Sequence, residues 1–545
     1  NDSLSGPGGY SRATAIADTS SGGTLASALA AASGGGSNRL GGIGEATAQA
    51  IGSGRDLASA TANAFGGDWS GSLEGRGGDA TASAITTNSG SAAVVAIASA
   101  VGGNARAIRS RGQAGSALAT ASGFSTGDGL VTVTATQQSG NGGDASDSIM
   151  TNAVSGGTRG VLELNQSAIA GQGGENYQAP GGQGGRAVAN LGGSFADPAW
   201  LSVNVAATGG NGGTTDGPLG TGGNGGAASV QVDVGGTIVS AIGRAQAGHA
   251  AFGLGGYGTG GAATADVRAT SVTAFGAADA QATALSDASG EANASAEAFG
   301  GALARLHVAA EAPAVKYVEQ RQSIASAGAA VAANAGGGTL ISRGATAYAD
   351  GLPDLAELLA VSDGDPTVHG ALMEADQGLL HVYFSGGYID GGTGVAQTFS
   401  TITDFDIDPA LAGSKNLLLG LVAPAFDFAT GSAMHFQVLR EGQSAVDETF
   451  LDALAATAFF DDRVLDLGLV TDGVQGNLNV QMRFDFTAGS SSDGFRFEVL
   501  SATSPVPLPG AGGLLVTCLG FLGAMARRKR AGHDSVSRHR RQRPR

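Results

Sequence analysis

Along residues 1–350, alanine recurs at every second position in short runs that break off at glycine. In the segment Gly44–Gly67, Ala46, Ala48 and Ala50 alternate with Thr47 and Gln49, and Ala58, Ala60, Ala62 and Ala64 alternate with Ser59, Thr61 and Asn63. A period of two sends successive side chains to opposite faces of a strand. Alanine favours helix by propensity, but the small residues do not fall at i, i+3 and i+4, and the glycines would cost a helix up to ~1 kcal/mol each. Two further segments, Gly78–Gly103 and Gly276–Gly301, align with the first almost residue for residue. Each consists of two alternating runs around a polar or glycine-containing corner.

Between Leu130 and Val234 the repeat changes. Three strand-like starts, LVTVTATQQSGNGG, VLELNQSAIAGQGG and LSVNVAATGGNGG, begin at Leu130, Val161 and Leu201. The first runs straight into DASDSI, whereas the others continue into ENYQAPGGQGG and TTDGPLGTGGNGG. Variable insertion at one place is what a loop on one side of a coil tolerates. The pattern predicts an all-β, Ala/Gly-rich β-solenoid over residues 1–350, with small inward side chains and glycine at the corners. Coils of about 25 residues stacked ~4.8 Å apart would make a rod of about 65 Å. Disorder is the competing reading for a chain so rich in glycine; the sustained alternation favours order.

From about Gly351 the pattern changes again. LLHVYFSGG, FSTITDFDI, NLLLGLV, MHFQVL, GNLNVQMRFDFTAG and GFRFEVLSA read as strands bounded by Gly, Asp and Ser. In the clearest, Leu478, Val480, Met482, Phe484 and Phe486 share one face, opposite Asn479, Gln481, Arg483 and Asp485. A hairpin is expected between this strand and Phe495, Phe497 and Val499, across GSSSDG. A helix is expected over Asp447–Phe460, with Phe450, Leu454 and Ala458 on one face. Residues 351–503 therefore read as a small antiparallel β-sandwich with one helix, able to fold by itself.

Composition sharpens this division. The chain has 95 glycines among 545 residues, with 14% charged and 5% aromatic residues. Fourteen of its 20 phenylalanines lie beyond residue 370, so only the C-terminal part can build a large-side-chain core. The net charge of −17 is uneven: the last 19 residues hold nine Lys/Arg and one Asp, which leaves −25 on residues 1–526. So acidic a body argues against nucleic acid as a partner.

The C-terminal end has three parts in order. Val506-Pro507-Leu508-Pro509 is extended by its prolines. Residues 510–526 form an uncharged apolar run of 17 residues, at the lower limit for crossing a bilayer. Arg527, Arg528, Lys529 and Arg530 follow as a basic stop, which the positive-inside rule holds in the cytoplasm. Residues 531–545 are a basic tail. The sole cysteine, Cys518, lies in the apolar run, so no disulfide forms within the chain.

This ending, over about 25 residues, resembles the PEP-CTERM sorting signals of Gram-negative bacteria, in the variant beginning VPLPA; Gly510 stands where that variant has alanine. The resemblance implies that the chain is recognised by an exosortase, a membrane-embedded cysteine transpeptidase of exopolysaccharide-producing bacteria. It also implies delivery to the cell surface or the extracellular matrix. Family signals stop at the basic cluster, whereas this chain continues to Arg545. A signal of this kind belongs on an exported protein, so a signal peptide is expected upstream of Asn1.

Candidate chemistry is sparse. The seven histidines show no ligand spacing, and no GxSxG elbow is present. The calcium-binding GGxGxDxU array is absent despite many GGNGG segments. Asp404, Asp406 and Asp408 in ITDFDIDP are the candidate metal ligands, since alternation would align three carboxylates suited to calcium; the competing reading is a solvated turn before Pro409. No cofactor is expected. The functional expectation is a non-catalytic surface or biofilm-matrix protein, adhesive or structural, that touches exopolysaccharide through many weak contacts. The alternative is a β-helix polysaccharide hydrolase or lyase with carboxylates grouped on one coil face.

Overall fold

The computed structural model describes residues 9–505, except 19–24, 37–43, 53–56, 72–74, 108–111, 144, 177–178, 217–219, 274–275, 287–290, 301–302, 312–313, 325–329, 333–342, 352–354, 389–396, 408–414, 429–430, 472–477 and 489–492. Its first part is a β-solenoid. On one face the strands Ala26–Ser33, Ala58–Phe65, Val94–Val101, Val131–Gln138, Val161–Ile169, Trp200–Thr208, Val239–Gln246, Ala277–Leu285 and Leu303–Glu311 stack in parallel. The opposite face begins as a five-stranded sheet, from Ser11–Asp18 to Val154–Gly157, and continues as a ten-stranded sheet that starts at Ser148–Thr151. The alternation is an inside–outside pattern as expected. Ala58, Ala60, Ala62 and Ala64 are fully buried, while Ser59, Thr61 and Asn63 are half-buried on the outer side.

The coils are longer than the sequence suggested. Ala26 pairs with Ala58, Ala58 with Val94 and Val94 with Val131, so these coils take 32 to 37 residues rather than about 25. Eight steps from Ala26 to Leu303 at ~4.8 Å give a rod of about 38 Å, not 65 Å. The extra residues form a third side made of glycine. Gly78 N–H donates to Gly67 O, Gly103 N–H to Gly78 O, Gly115 N–H to Gly103 O and Gly140 N–H to Gly115 O, at 2.8–2.9 Å. The same segments also bond along the rod, as in Gly66 N–H to Val101 O and Gly102 N–H to Gln138 O. Backbones packed this closely leave no space for side chains: a Cβ on Gly103 would lie 2.1 Å from Gly67 O. GGNGG and GGQGG therefore build a packed wall, not the tolerant loop expected of them. Between the glycines, polar side chains form a ladder outside, with Asn104 N–H donating to Asp68, Asn141 N–H to Asn104 and Gln172 N–H to Asn141 at 2.7–3.0 Å.

The rest of the chain closes the solenoid. Arg343–Gly351 adds antiparallel to Leu303–Glu311, followed in the same sheet by Gln377–Tyr388, Gly494–Pro505, Lys415–Asp427 and Arg463–Leu469. In the other sheet Gln397–Ile407 joins parallel to Ala314–Ile324, and Leu478–Ala488, Ala433–Arg440 and Gln443–Phe450 continue it. The cap is thus two antiparallel extensions of the solenoid's own sheets, filled by phenylalanine. The expected hairpin does not form. Leu478–Ala488 and Gly494–Pro505 belong to opposite sheets and meet through their rings, with Phe484–Phe495 at 4.5 Å and Phe484–Phe497 at 4.9 Å.

Among the described residues the cap has three helices, where one was expected: α1 Leu355–Val361, α2 Pro366–Met373 and α3 Ala453–Phe460. The expected helix over Asp447–Phe460 is a strand followed by a short helix. Glu441 and Gly442, at φ 50° and 71°, turn the chain into strand Gln443–Phe450. Asp452 then caps α3, its carboxylate accepting from Ala455 N–H at 2.7 Å. The buried face of α3 is Ala456, Phe459 and Phe460, and Leu454 is 80% exposed.

Candidate functional site

One opening in the solenoid arises from a break in its second face. Asn152, at φ 49°, kinks the strand that should run from Ser148 to Gly157. Its first half, Ser148–Thr151, pairs forward with Ala187–Asn190, and its second half, Val154–Gly157, pairs back with Ala121–Phe124. The strands Val154–Gly157 and Ala187–Phe195 are not neighbours in either sheet, so their outer ends diverge. Inside, Gln166 repairs the break. Its Oε1 accepts from Ala153 N–H at 2.8 Å, while Nε2 donates to Met150 O and Asn190 O at 3.4 and 3.1 Å. Gln137 does the same one layer away, donating to Ser148 Oγ and Ile149 O. The buried Gln166 amide is tolerated because the broken ladder supplies its partners, while Gln137 finds them only for its Nε2.

Outside, the divergence opens a groove of about 650 Å³ lined by Phe124, Phe195, Gly157, Thr87, Arg159 and Asp197, among others. Register explains its relief. Thr87 pairs with Phe124, Phe124 with Gly157 and, beyond the break, Phe195 with Gly236. Phe124 thus stands in an outward file and is 45% exposed, whereas Phe195 shares the inward file of Gly236 and is partly buried against the core. A Cβ on Gly157 would meet only the Phe124 ring, at 3.2 and 3.5 Å, and one on Gly193 would meet the Phe195 ring at 3.1 Å. Each glycine leaves room above its neighbouring ring. The hydroxyl of Thr126 donates to Ser89 O at 2.7 Å, which leaves its oxygen as an acceptor at the rim. Arg159 pairs with Asp128 at 3.3 Å, both exposed. The lining contributes a single carboxylate, Asp197, whereas glycoside hydrolysis by the usual route needs two.

Other clusters of polar groups are structural. His381 Nε2 and Glu498 Oε2 share a hydrogen bond of 2.8 Å, both side chains being buried within the cap. Asp462 caps α2 from outside the helix, accepting from Thr367 N–H and Val368 N–H at 2.8–2.9 Å. Desolvation acts against ionisation of Asp462, but the N–H groups of Val368 and Thr367 outweigh it and hold the carboxyl below its ordinary range. Asp365 beside it is shifted the opposite way, first by burial and then by the charges of Asp462, Asp461 and Glu498. At the cap's edge, hydrogen bonds from His435 and then Gln437 lower Asp447.

The residues expected from sequence to carry function fall elsewhere. Asp404 and Asp406 lie in strand Gln397–Ile407, in register with Gln481 and Asn479, while Asp408 lies outside the described residues. No cluster of three or more potential metal ligands occurs among the described residues. The last described strand ends at Pro505, so Val506–Pro509, the run 510–526 and Arg527–Arg530 all lie outside them. No helix among the described residues is long and apolar enough to cross a membrane. Sequence reasoning passed over Phe124 and Phe195. Their signal was there: lone phenylalanines ending the runs ATASGF and NLGGSF, in a part of the chain almost without aromatics. No protein-family model matches this chain, and no curated protein matches it.

Proposed function

We propose that this protein is a non-catalytic surface or matrix component of a Gram-negative bacterium, exported, sorted by an exosortase and engaged with exopolysaccharide. The observation that carries the reading is the outer face of the long parallel sheet. One file of aligned positions runs Ser27, Ser59, Val95, Thr132, Glu163, Ser202, Ser240 and Asp279; the next runs Leu29, Thr61, Ile97, Thr134, Asn165, Asn204, Ile242 and Gln281. Hydroxyls, amides and carboxylates fill all but Val95, Leu29, Ile97 and Ile242 of these positions, which follow one another about every 4.8 Å, a surface that suits many weak contacts with a repetitive polymer. Such contacts gain strength through number rather than through any one site.

Delivery rests on the residues beyond the cap. Val506–Pro509, with its two prolines, would present an extended peptide at the membrane, the run 510–526 would enter the bilayer, and Arg527–Arg530 would stop it. The test compares a host with and without its exosortase and follows the fraction of protein released from the membrane into the matrix. Release is expected only when the exosortase is present. Changing Pro507 and Pro509 to Ala should leave the protein membrane-bound. Equal release in both hosts would overturn the sorting.

A further inference from the structure

We infer that the first coil of the solenoid is a homodimerisation surface, on which a second copy of the chain stacks head to head about a twofold axis. Ser11–Asp18 and Ala26–Ser33 are the terminal strands of the two faces. Among the described residues no strand pairs with either on the side away from Gly44–Gly52 and Ala58–Phe65. The core is open at this end: Ala13, Ala15 and Ala17 are only half-buried, whereas Ala82 and Ala84, in the same inward files, are fully buried. Large apolar side chains gather here too, since Tyr10, Ile16, Leu25 and Leu29 are each 55–68% exposed. Natural sheets guard their edges with charge, proline or bulges. The terminal strands of the cap, Gln443–Phe450 and Arg463–Leu469, carry Asp447, Glu448, Arg463 and Asp466. The strand ASALAAAS, by contrast, has neither charge nor proline.

Two strand edges a core's width apart fit a surface with the same two edges, and a second copy offers it. A twofold axis perpendicular to both faces turns each end strand antiparallel to its own image. Inward side chains must meet inward side chains, so paired residue numbers within a strand must add to an even sum. In Ala26–Ser33 this sets Leu29 opposite Leu29 of the second copy, and Ser27 opposite Ala31. The two exposed leucines then cover each other. The backbone agrees, because Ala26 N–H donates to Leu57 O in the next coil at 3.2 Å. Alternate residues of a strand bond to opposite sides, so Ser27, Leu29 and Ala31 aim their N–H and C=O groups at the open end. In Ser11–Asp18 the matching register centres on Ala15. It sets Arg12 opposite Asp18 of the second copy and Thr14 opposite Ile16, which makes the contact complementary in charge. One axis serves both strands: Ala15 stands three residues before the end of its strand and Leu29 three after the start of the next. The cap closes the other end of the solenoid, so growth stops at two copies. Two rods joined in this way double the length of the outer polar files and hold their caps at opposite ends. The inference does not rest on the sorting reading.

The experiment is sedimentation of the full chain over a range of concentrations, in detergent because of the apolar run 510–526. A monomer–dimer equilibrium with no larger species is expected. Leu29→Lys sets two cations against each other at the axis, and Arg12→Glu sets like charges together at the strand ends. Each should weaken dimerisation at least ~tenfold. Combining Arg12→Glu with Asp18→Arg should restore it, which a local folding defect would not allow. Leu254→Lys, at a side chain 62% exposed outside the first coil, should change nothing. In a Cys518→Ser background, Leu29→Cys should give a disulfide-linked dimer on oxidation, because the paired positions lie within disulfide reach, and Leu254→Cys should not. Unchanged thermal unfolding of each variant establishes that the fold is intact. A monomer at every concentration or open-ended polymers overturn the inference. A dimer that ignores the changes at Leu29 and Arg12 also overturns it, and places the association elsewhere in the chain.

Discussion

Between Ala58 and Ala64 the solenoid fills its interior with methyl groups, whereas between Phe484 and Phe497 the cap fills the same two sheets with rings. The sheets themselves run on without interruption from one region to the other. What changes is the separation that the side chains must span and the way the third side is closed. In the solenoid, glycine backbone packs directly against glycine backbone, and space is scarce everywhere. In the cap, rings such as Phe436, Phe460 and Phe497 meet at centroid distances of 4.5–6.1 Å and each buries a large area. The two regions should therefore fail in opposite ways: the solenoid when something is added, the cap when something is removed.

The largest effects test that contrast directly. Phe497→Ala should cost the cap about 3–5 kcal/mol, because a fully buried ring with several aromatic neighbours leaves a cavity. Ala60→Phe should cost the solenoid about 3 kcal/mol or more, since added volume in a filled core forces backbone shifts. Ser59→Phe, one residue away on the outer side, should stay near 0.5 kcal/mol, roughly the range for surface changes. Denaturant unfolding of the three variants decides the matter. Equal losses for Ala60→Phe and Ser59→Phe would mean that the alternation is not an inside–outside pattern.

Glycine gives the next comparison. Gly103→Val drives a Cβ to within 2.1 Å of a backbone oxygen, where no flexible side chain can yield, and should destabilise by at least ~3 kcal/mol. Gly370, in α2 of the cap, has no neighbouring atom within 4 Å of a Cβ. Gly370→Ala should stabilise by up to ~1 kcal/mol through helix propensity. The sign of the change in melting temperature distinguishes the two. A tolerated Gly103→Val would show that the glycine side is a loose connection.

These contrasts also mark what was legible in the sequence. Period two along Ala58–Ala64 and Leu478–Phe486 announced strands and their buried faces, because inside and outside impose that pattern locally. The glycine wall was not legible. Glycine has no side chain to show periodicity, and its bonds run to coils more than 30 residues away, as from Gly66 to Val101. The exchange of sheets after Ala488 was hidden for a related reason, since a strand with one apolar face looks the same in a hairpin and across a core. At Gln443–Phe450 the edge strand is mostly exposed, so burial gives it no alternating signature. The groove depends on a single kink at Asn152, and only its two isolated phenylalanines hinted at it.

Gln166→Leu probes the seam between these schemes, where a polar group is buried in a methyl-lined interior. The substitution keeps the volume but leaves Ala153 N–H, Met150 O and Asn190 O without their side-chain partner. A cost of about 1–3 kcal/mol is expected. Exchange of the Ala153 amide proton should accelerate. Unchanged stability would mean that the break does not need its internal repair.

The smallest effect concerns charge on the outside of the cap, where the solenoid offers no counterpart. Asp462 holds the first turn of α2 from a neighbouring segment, and its folded-state acidity is raised by the Val368 and Thr367 amides, against desolvation. A carboxyl depressed in this way contributes stability above its unfolded value. That contribution is lost as pH falls through the lower folded value. Asp365 has the opposite sign: its folded value is raised, chiefly by burial and then by Asp462, so it costs stability at neutral pH and the cost vanishes on acidification. Asp462→Asn should therefore destabilise the cap by roughly 1 kcal/mol or less at pH 7, as for a lost helix cap, with the difference from wild type closing below about pH 4. Asp365→Asn should stabilise slightly at pH 7 and match wild type at the same low pH. Because Asp462 is itself one cause of the Asp365 shift, the two changes should not add, and the double variant should lie closer to wild type than Asp462→Asn alone. Melting temperatures from pH 3 to pH 7 for the three variants read this out. Parallel curves at every pH would mean that packing of α2, and not the charge at its N-terminus, sets the stability of this corner.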